Sequence, residues 1–319
     1  MRADEQVTLG RTSVAVSRLS LGGTPFGDMY DTVPDEQAVA TVHRAHELGV
    51  AYFDTAPLYG VGKSERRLGL GLRDLPRDHV TVSTKIGRIL QDDDGTIPPT
   101  FEYTPEAIAR SLEGSHARTG LDPFDIVHVH DPYEFMDFVL ETTFPALRKL
   151  QADGAIGAVG AGMNHGPQLA RFAAAGAVHC VLLAGRWTLL EQSAFDDLLP
   201  VALEKNVSVI AAGVFNTGVL ADPDADPKLV NYFYQPAPPE VLDKVARMRA
   251  VCERHGVPLS AAALQFPFTH PSVATVLVGC RSPQEVEKNA ADLAVDIPHA
   301  LWQDLADTGL IRPDVVPKR

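Results

Sequence analysis

The sequence has few of the features that mark secreted or membrane-spanning proteins. Only three cysteines occur among 319 residues, and none belongs to a Cys-x-x-Cys motif. We therefore expect buried thiols in a reduced, cytoplasmic protein rather than a disulfide framework. Residues 1–6 are polar and acidic, unlike a signal peptide. No apolar run approaches the ~20 residues of a membrane-spanning helix.

Positive charge is also scarce in this chain. Lys and Arg number 28 against 41 Asp and Glu, which gives a net charge of −13. Such a surface repels phosphate backbones and anionic lipids, so we expect neither a nucleic acid nor a membrane as partner. A small-molecule substrate is the remaining expectation. The sequence carries no signal for an oligomeric state.

What the sequence does contain is an alternation of two kinds of segment. Short β-branched runs predict strands, and the Ala- and Leu-rich stretches between them have the period of helices. The predicted strands cover residues 19–21, 51–54, 80–85, 126–130, 155–160, 180–183, 207–211 and 275–278. The predicted helices cover residues 35–48, 64–72, 105–119, 138–152, 167–175, 194–204, 239–255 and 283–293.

Eight strand–helix alternations without a change in composition predict a (β/α)8 TIM barrel, with residues 1–319 as a single domain. Residues 7–16 predict an N-terminal β-hairpin that covers the barrel floor, and residues 257–270 predict extra helix near the C-terminus. The long loops 86–103 and 219–238 both follow strands, so we expect them at the catalytic rim.

Four polar residues lie at or just after the ends of consecutive predicted strands. Asp54 ends the second strand, Tyr59 lies in the loop that follows, Lys85 ends the third strand and His130 the fourth. Side chains alternate along a strand, so the three strand-end residues are expected to face the barrel mouth. Each alone has an ordinary explanation, such as a turn, a cap or a solvated strand end. Their coincidence in one ring indicates a site.

This set of side chains suits proton transfer. A tyrosine ordinarily ionises near pH ~10, and a lysine ammonium beside its oxygen is expected to lower that pKa. Asp54 would hold Lys85 charged and in place, while His130 would orient a substrate oxygen. The result is a general acid–base for a carbonyl or alcohol oxygen, which also needs a hydride carrier.

In order and in local context, these four residues resemble the catalytic tetrad of the aldo-keto reductases. The resemblance covers nearly the whole chain, including residues 21–24 and 279–289. The later segments 158–164, 183–190 and 213–218 are similar to one branch of that family, the aldose 1-dehydrogenases (L-fucose dehydrogenases) and pyridoxal 4-dehydrogenases.

The resemblance implies a role for each residue. Tyr59 gives or takes the proton, Lys85 tunes it, Asp54 supports Lys85, and His130 positions the substrate. A nicotinamide cofactor would have its carboxamide at Asn164, its pyrophosphate along 213–218 and its adenosine near 281–289. The positions implied for the cofactor are Gly23, Thr24, Asn164, Gly213, Val214, Phe215, Asn216, Gly218, Gly279, Arg281, Ser282, Glu285 and Asn289.

The chain departs from the family pattern beside the nicotinamide. Many members carry a Gln and an aromatic residue where this chain has Ala184 and Ala212. We therefore expect Trp187 or another side chain to stack on the ring instead. His128 is also unusual and is expected to be a satisfied second-layer histidine. No carboxylate or thiol cluster accompanies it, so no metal is expected.

A second departure concerns the choice of cofactor. Gly279 and Glu285 stand where many NADP-specific members carry a Lys and an Arg. A carboxylate disfavours a phosphate dianion and accepts a hydrogen bond from a ribose hydroxyl. NAD is therefore the expected cofactor, with NADP as the second option because Arg281 could still reach a phosphate.

The resemblance implies oxidation of the anomeric hydroxyl of a free aldose to a lactone, with substrates of the L-fucose, D-arabinose or L-galactose type. Substrate choice is expected from Phe26, Tyr30, Tyr133 and Trp187. Pyridoxal 4-dehydrogenase and a general aldehyde or ketone reductase are the alternatives within the family. A non-catalytic regulatory barrel that senses nicotinamide cofactors is the alternative from another class, although an intact tetrad disfavours it.

Overall fold

Eight parallel strands close into a barrel in the computed structural model. The structure describes residues 1–29, 31–92, 95–221, 231–233 and 235–317. In chain order its strands are β1 (Gln6–Thr8), β2 (Ala15–Ser17), β3 (Leu19–Gly22), β4 (Tyr52–Asp54), β5 (Thr81–Ile86), β6 (Arg88–Ile89), β7 (Thr100–Phe101), β8 (Phe124–His130), β9 (Ile156–Met163), β10 (Cys180–Ala184), β11 (Ser208–Ala212), β12 (Asn231–Tyr232), β13 (Gln235–Pro236) and β14 (Val273–Gly279). The barrel order is β3-β4-β5-β8-β9-β10-β11-β14, and β14 pairs with β3.

Helices surround this barrel, as the sequence predicts. They are α1 (Asp35–Glu47), α2 (Lys63–Leu72), α3 (Pro105–Thr119), α4 (Met136–Phe138), α5 (Phe144–Ala152), α6 (Gly166–Ala174), α7 (Leu198–Glu204), α8 (Pro239–Arg254), α9 (Leu259–Gln265), α10 (Pro283–Ala294) and α11 (His299–Asp307). Helices α9 and α11 are the extra helices near the C-terminus. The predicted TIM barrel is therefore confirmed.

The N-terminal hairpin covers the barrel floor. Strands β1 and β2 pair antiparallel, and Leu9 and Val16 are fully buried in a cluster with Tyr52 and Ile126 from the barrel strands. This apolar layer closes the lower end of the barrel. A ligand must therefore bind at the upper end of the barrel, where the parallel strands finish.

Two helices differ from their predicted extents. The predicted helix 138–152 is interrupted by a π-helical segment, Val139–Thr143, directly before α5. Pro145 in the first turn of α5 cannot donate a backbone hydrogen bond, which favours this local widening. The predicted helix 194–204 begins only at Leu198, where the Asp197 side chain accepts from the first backbone N–H.

Strand β9 extends three residues beyond its predicted end at Gly160. Glycine weakens a strand in isolation, so the sequence alone favours a stop there. In the barrel, a Cβ at Gly160 would collide with the ring of His128 on the neighbouring strand. The glycine is thus required by the packing of His128, and the pairing of β9 with β8 continues to Gly162.

All three cysteines are free and buried. Among the described residues, no helix is both long enough and apolar enough to cross a bilayer.

Candidate active site

The ends of β4, β5 and β8 bring the predicted tetrad together. Asp54 and Lys85 end or nearly end their strands, His130 ends β8, and Tyr59 lies in the loop after β4. Parallel pairing aligns Asp54 with Ser83 and Lys85 with His128, so these side chains share the inner face. The alternation of faces along each strand therefore builds the site at the barrel mouth.

Lys85 is held by a buried ion pair. Its Nζ lies 2.6 Å from Asp54 Oδ2 and donates to the Thr55 carbonyl oxygen at 2.8 Å, and both charged side chains are 2% exposed. Burial alone would lower the pKa of Lys85, but the negative charge of Asp54, with smaller contributions that include a hydrogen bond to Tyr59, outweighs it and raises that pKa. Lys85 therefore stays an ammonium ion.

Tyr59 lies beside this ammonium group. The Lys85 Nζ is 4.8 Å from the centroid of the Tyr59 ring. Burial raises the pKa of Tyr59, and the lowering by Lys85 is the smaller effect. The expected net lowering of this pKa is therefore wrong for the protein alone, although Lys85 acts in the expected direction. At neutral pH Tyr59 is a neutral phenol that can donate a proton.

His130 faces Tyr59 edge-on, with ring centroids 6.0 Å apart. Burial, followed by the charges of Lys85 and Arg88, holds the pKa of His130 well below its usual range. The imidazole is therefore neutral. Its Nδ1 is buried and has no hydrogen-bond partner among the described residues. Its Nε2 lies 3.8 Å from Asp131 Oδ2.

A buried chain of hydroxyl groups continues below the ion pair. Ser83 Oγ donates to Asp54 Oδ1 at 2.6 Å, and the Tyr52 hydroxyl lies 2.9 Å from Ser83 Oγ. Side chains alternate along a strand, so Tyr52 shares the face of Asp54 and Ser83 shares the face of Lys85. Together they fix the carboxylate that in turn fixes Lys85.

His128 occupies the layer below His130. Burial and the charge of Lys85 lower the pKa of His128 to about 3, so it is neutral. Its two ring nitrogens have no hydrogen-bond partner among the described residues, which differs from the satisfied histidine that the sequence predicts. In the described parts of the chain, no group of three or more His, Cys, Asp or Glu could hold a metal ion.

A cavity of about 730 Å³ runs from Asp54 and Tyr59 to the start of α10. Most positions that the resemblance implies for the cofactor line it. They are Thr24, Gly213, Val214, Phe215, Gly218, Gly279, Arg281, Glu285 and Asn289. The sequence did not single out several further lining residues, including Pro25, Leu182, Thr217, Leu277 and Lys288. The local sequence does not show whether an apolar side chain or a lysine lines a cavity.

The lining of this cavity fits a dinucleotide. Gly213 and Gly218 have φ angles of +62° and +100°, which residues with a side chain rarely adopt, and both line the cavity with their backbone. Both amide atoms of the buried Asn216 lack a hydrogen-bond partner among the described residues. At the far end, α10 begins after its capping residue Ser282, and a helix N-terminus favours phosphate.

Arg281 forms ion pairs with two carboxylates at the end of the cavity beside α10. Glu285 Oε1 accepts from its Nε and Nη2 at 2.9 and 2.7 Å, and Asp31 Oδ2 accepts from its Nη1 at 2.5 Å. Ser282 lies beside this cluster in a small adjoining pocket. The remaining predicted cofactor residue at the first strand, Gly23, donates its N–H to the Asp54 carbonyl oxygen and supports the site from behind.

The predicted substrate residues divide into three groups. Trp187 and Phe26 are buried in the core, and the Trp187 indole donates to the Pro267 carbonyl oxygen. Neither can flank a nicotinamide or a substrate, because packing encloses both. Tyr133 lies at the mouth, where its hydroxyl donates to Asn164 Oδ1 at 2.8 Å. Tyr30 lies outside the described residues.

The two alanines that replace larger residues do line the cavity. Ala184 and Ala212 end the neighbouring strands β10 and β11, and their small side chains leave the cavity wide there. Phe215 is an aromatic residue that lines the same cavity, whereas Trp187 is buried in the core. A short local pattern could not separate these two aromatics, because only tertiary packing distinguishes a core ring from a cavity ring.

Known proteins are similar to this chain over most of its length. The aldo/keto reductase family pattern matches residues 18–307. The chain is 37% identical to D-threo-aldose 1-dehydrogenase of a Pseudomonas species, over 93% of this chain and 95% of that protein. It is 34% identical to pyridoxal 4-dehydrogenase of Microbacterium luteolum, over 98% and 99%, and 33% identical to L-galactose dehydrogenase of Arabidopsis thaliana, over 89% and 86%.

Solved structures show the same fold. The glycerol dehydrogenase of Gluconobacter oxydans superposes with a TM-score of 0.81 at 23% identity, covering 100% of this chain and 98% of that one. An aldo-keto reductase from Bacillus halodurans gives a TM-score of 0.79 at 22% identity, covering 97% and 96%. With the tetrad in place and this family pattern across most of its length, the chain belongs to the aldo/keto reductase family of oxidoreductases.

Proposed function

We propose that this enzyme oxidises the anomeric hydroxyl of a free aldose to a lactone, with NAD as the preferred cofactor. The observation that carries the proposal is the 37% identity to D-threo-aldose 1-dehydrogenase, which extends over 93% of the chain. Aldoses of the L-fucose, D-arabinose and L-galactose type are the substrates we assign. The relationship to L-galactose dehydrogenase supports the same class.

The tetrad can perform the proton transfer of this reaction. When bound, a nicotinamide dinucleotide supplies the hydride acceptor. His130 would hold the anomeric oxygen, and Tyr59 would accept its proton. Loss of that proton and of the C1 hydride leaves a C1=O double bond, which makes the ring form a lactone. Lys85 stabilises the phenolate that this step requires, and Asp54 keeps Lys85 in position.

Tyr59 must be deprotonated before it can accept a proton, and its pKa is raised. The oxidation would therefore speed up as pH rises, and the reverse reduction would be favoured near neutral pH.

The adenosine end supports NAD over NADP. Arg281 is already neutralised by Glu285 and Asp31, so a 2′-phosphate would meet two carboxylates before it met a free cation. A Glu285→Arg variant should gain activity with NADP. Glu287→Arg is the matched control, since Glu287 lies on the same helix but pairs with Arg44 outside the cavity. Equal gains in both variants, or no gain in Glu285→Arg, would contradict this assignment.

Pyridoxal 4-dehydrogenase is the second candidate, because the chain is also 34% identical to that enzyme. Pyridoxal and aldoses both exist largely as cyclic hemiacetals, so the same tetrad could serve either. A screen of free aldoses, pyridoxal and simple aldehydes with NAD and NADP tests the proposal. Turnover of pyridoxal without any aldose would overturn it in favour of the second candidate. Cofactor binding without turnover of any substrate would instead indicate a regulatory sensor.

We also place the protein in the cytoplasm, as a single-domain enzyme. The three free, buried thiols support a reducing compartment.

A further inference from the structure

A strained residue lies directly beside the catalytic histidine. Asp131 follows His130 and has a φ of +46°, which is uncommon for a residue other than glycine. The backbone around it holds this geometry, because its N–H donates to the Gly162 carbonyl oxygen at 3.1 Å and its carbonyl oxygen accepts from the Tyr103 hydroxyl at 3.2 Å. Strain of this kind is often stored at functional sites. Here it accompanies a carboxylate Oδ2 that lies 3.8 Å from His130 Nε2.

Arg88 completes the arrangement from the neighbouring strand, because it follows β5, which pairs with β8. Its Nη2 donates to Asp131 Oδ2 at 2.8 Å, and its guanidinium lies 4.7 Å from the centroid of Phe101. Phe101 in turn stacks on Phe135, with centroids 6.5 Å apart. The β6–β7 hairpin therefore holds Arg88 in place over the site. The Arg88 Nε is buried and lacks a hydrogen-bond partner among the described residues.

The ion pair of Arg88 and Asp131 is partly exposed to solvent. The side chains of Arg88 and Asp131 are 20% and 21% exposed, whereas Lys85 and Asp54 are 2% exposed. A carboxylate can accept several hydrogen bonds, and the one from Arg88 uses only part of that capacity. Asp131 can therefore accept a further hydrogen bond from a ligand group at the mouth.

The carboxylate also affects the neutral imidazole beside it. A negative charge near Nε2 favours the tautomer that carries its proton on that nitrogen. His130 would then donate a hydrogen bond from Nε2 to the reacting oxygen. The substrate oxygen and Asp131 thus lie on the same side of the ring.

We propose that Asp131, held by Arg88, recognises the hydroxyl group on the carbon next to the reacting carbon, and so selects aldoses that carry O2. Oxygens on adjacent carbons lie about one hydrogen-bond length apart. An anomeric oxygen bound at His130 Nε2 would therefore bring O2 within reach of Asp131 Oδ2. This inference rests on the proposed function, because it assumes that the anomeric oxygen is the one that reacts.

D-arabinose and 2-deoxy-D-ribose provide the test, because they differ only in the hydroxyl on C2. For the unmodified enzyme, kcat/KM should favour D-arabinose by roughly 10- to 100-fold, which is what a hydrogen bond to a charged group contributes. In Asp131→Asn this preference should fall to within about threefold, with most of the loss in D-arabinose turnover. Arg88→Lys should reduce the preference only in part, since it keeps the charge but loses the planar fork.

Asp137→Asn is the matched control. Asp137 pairs with Arg171 on the exposed part of the same rim, and its side chain is 76% exposed, so its replacement should leave the preference unchanged. NADH binding, followed by fluorescence, should be equal in all variants and reports that each is folded.

Three outcomes would overturn the inference. They are an unmodified enzyme that does not distinguish the two sugars, an Asp131→Asn variant that keeps the preference, and a variant that loses both sugars equally. The last result would show that Asp131 acts only through His130. If the unmodified enzyme oxidised no aldose at all, the proposed function would fail instead, and this is recognised before any variant is made.

Discussion

The two ends of the cavity each hold a cation against carboxylates, yet the pairs have different physical properties. At the catalytic end, Lys85 and Asp54 are 2% exposed and joined to a chain of buried hydroxyls. At the end beside α10, Arg281, Glu285 and Asp31 are 46%, 34% and 65% exposed. Water can replace any partner of the second cluster but none of the first. The buried pair therefore affects the pKa of Tyr59, whereas the exposed cluster can change without loss of the fold and can set the preference for NAD or NADP.

The largest expected effect is at the catalytic end. Tyr59→Phe removes the group to which we assign proton exchange with the substrate, and it should lower kcat for aldose oxidation by ~10²–10⁴-fold. Steady-state kinetics with L-fucose or D-arabinose measures this, and NADH binding shows whether the cofactor site remains intact. A kcat within about threefold of the unmodified enzyme would show that Tyr59 is not the acid–base.

The second-largest difference between the two ends of the cavity is expected in the free energy of unfolding. Asp54→Asn leaves the Lys85 ammonium buried without a countercharge and should lower the free energy of unfolding by roughly 3–5 kcal/mol. Glu285→Gln removes a partner of an exposed cation and should cost about 0–1 kcal/mol. Urea unfolding of both variants without cofactor gives the comparison. Similar losses in the two variants would contradict the role assigned to burial.

The pH dependence follows from the raised pKa of Tyr59, whose main cause is burial. Oxidation needs the phenolate, so kcat should rise with pH across the neutral and alkaline range, by about tenfold per unit while the phenol stays protonated. Reduction of the lactone or of a model aldehyde needs the phenol and should not show this rise. An oxidation rate that is flat between pH 7 and 9 would exclude Tyr59 ionisation as the controlling step.

The smallest effect should come from the hydroxyl chain below the ion pair. Ser83→Ala removes a donor to Asp54, so the carboxylate attracts Lys85 more strongly and leaves it less able to stabilise the phenolate. The pH profile of oxidation should shift to higher pH. Thr84→Val is the matched control, because this equally buried hydroxyl donates to Glu65 on the outer face. A shift of the same size in both variants would mean that Ser83 acts only through stability.

Much of the fold follows from patterns within single segments. The eight barrel strands are confirmed at their predicted places because a parallel strand, covered on both faces, produces a recognisable apolar β-branched run. The extents of α5 and α7 are not predictable in the same way. They depend on Pro145 and on the Asp197 cap, whose effects compete with a helical period that continues through them.

The site is only partly predictable for a related reason. Asp54, Lys85 and His130 carry a signal because polar side chains rarely end buried strands. Trp187 gave a misleading signal, since an aromatic residue near a strand end can face either the cavity or the core. Nothing in the sequence indicates that Arg88 and Asp131 form a pair, because they are 43 positions apart and each resembles an ordinary charged loop residue.

The sequence by itself determined the order of strands and helices, the tetrad and the family, because these depend on residue type and local spacing. The tertiary structure decided which cation is sealed from water, which aromatic lines the cavity and which loop arginine reaches the carboxylate beside His130. Those properties depend on the distances and burial of groups far apart in the chain. No local pattern encodes them. For the same reason the pKa of Tyr59 is raised by burial, whereas the sequence led us to expect a lowered pKa.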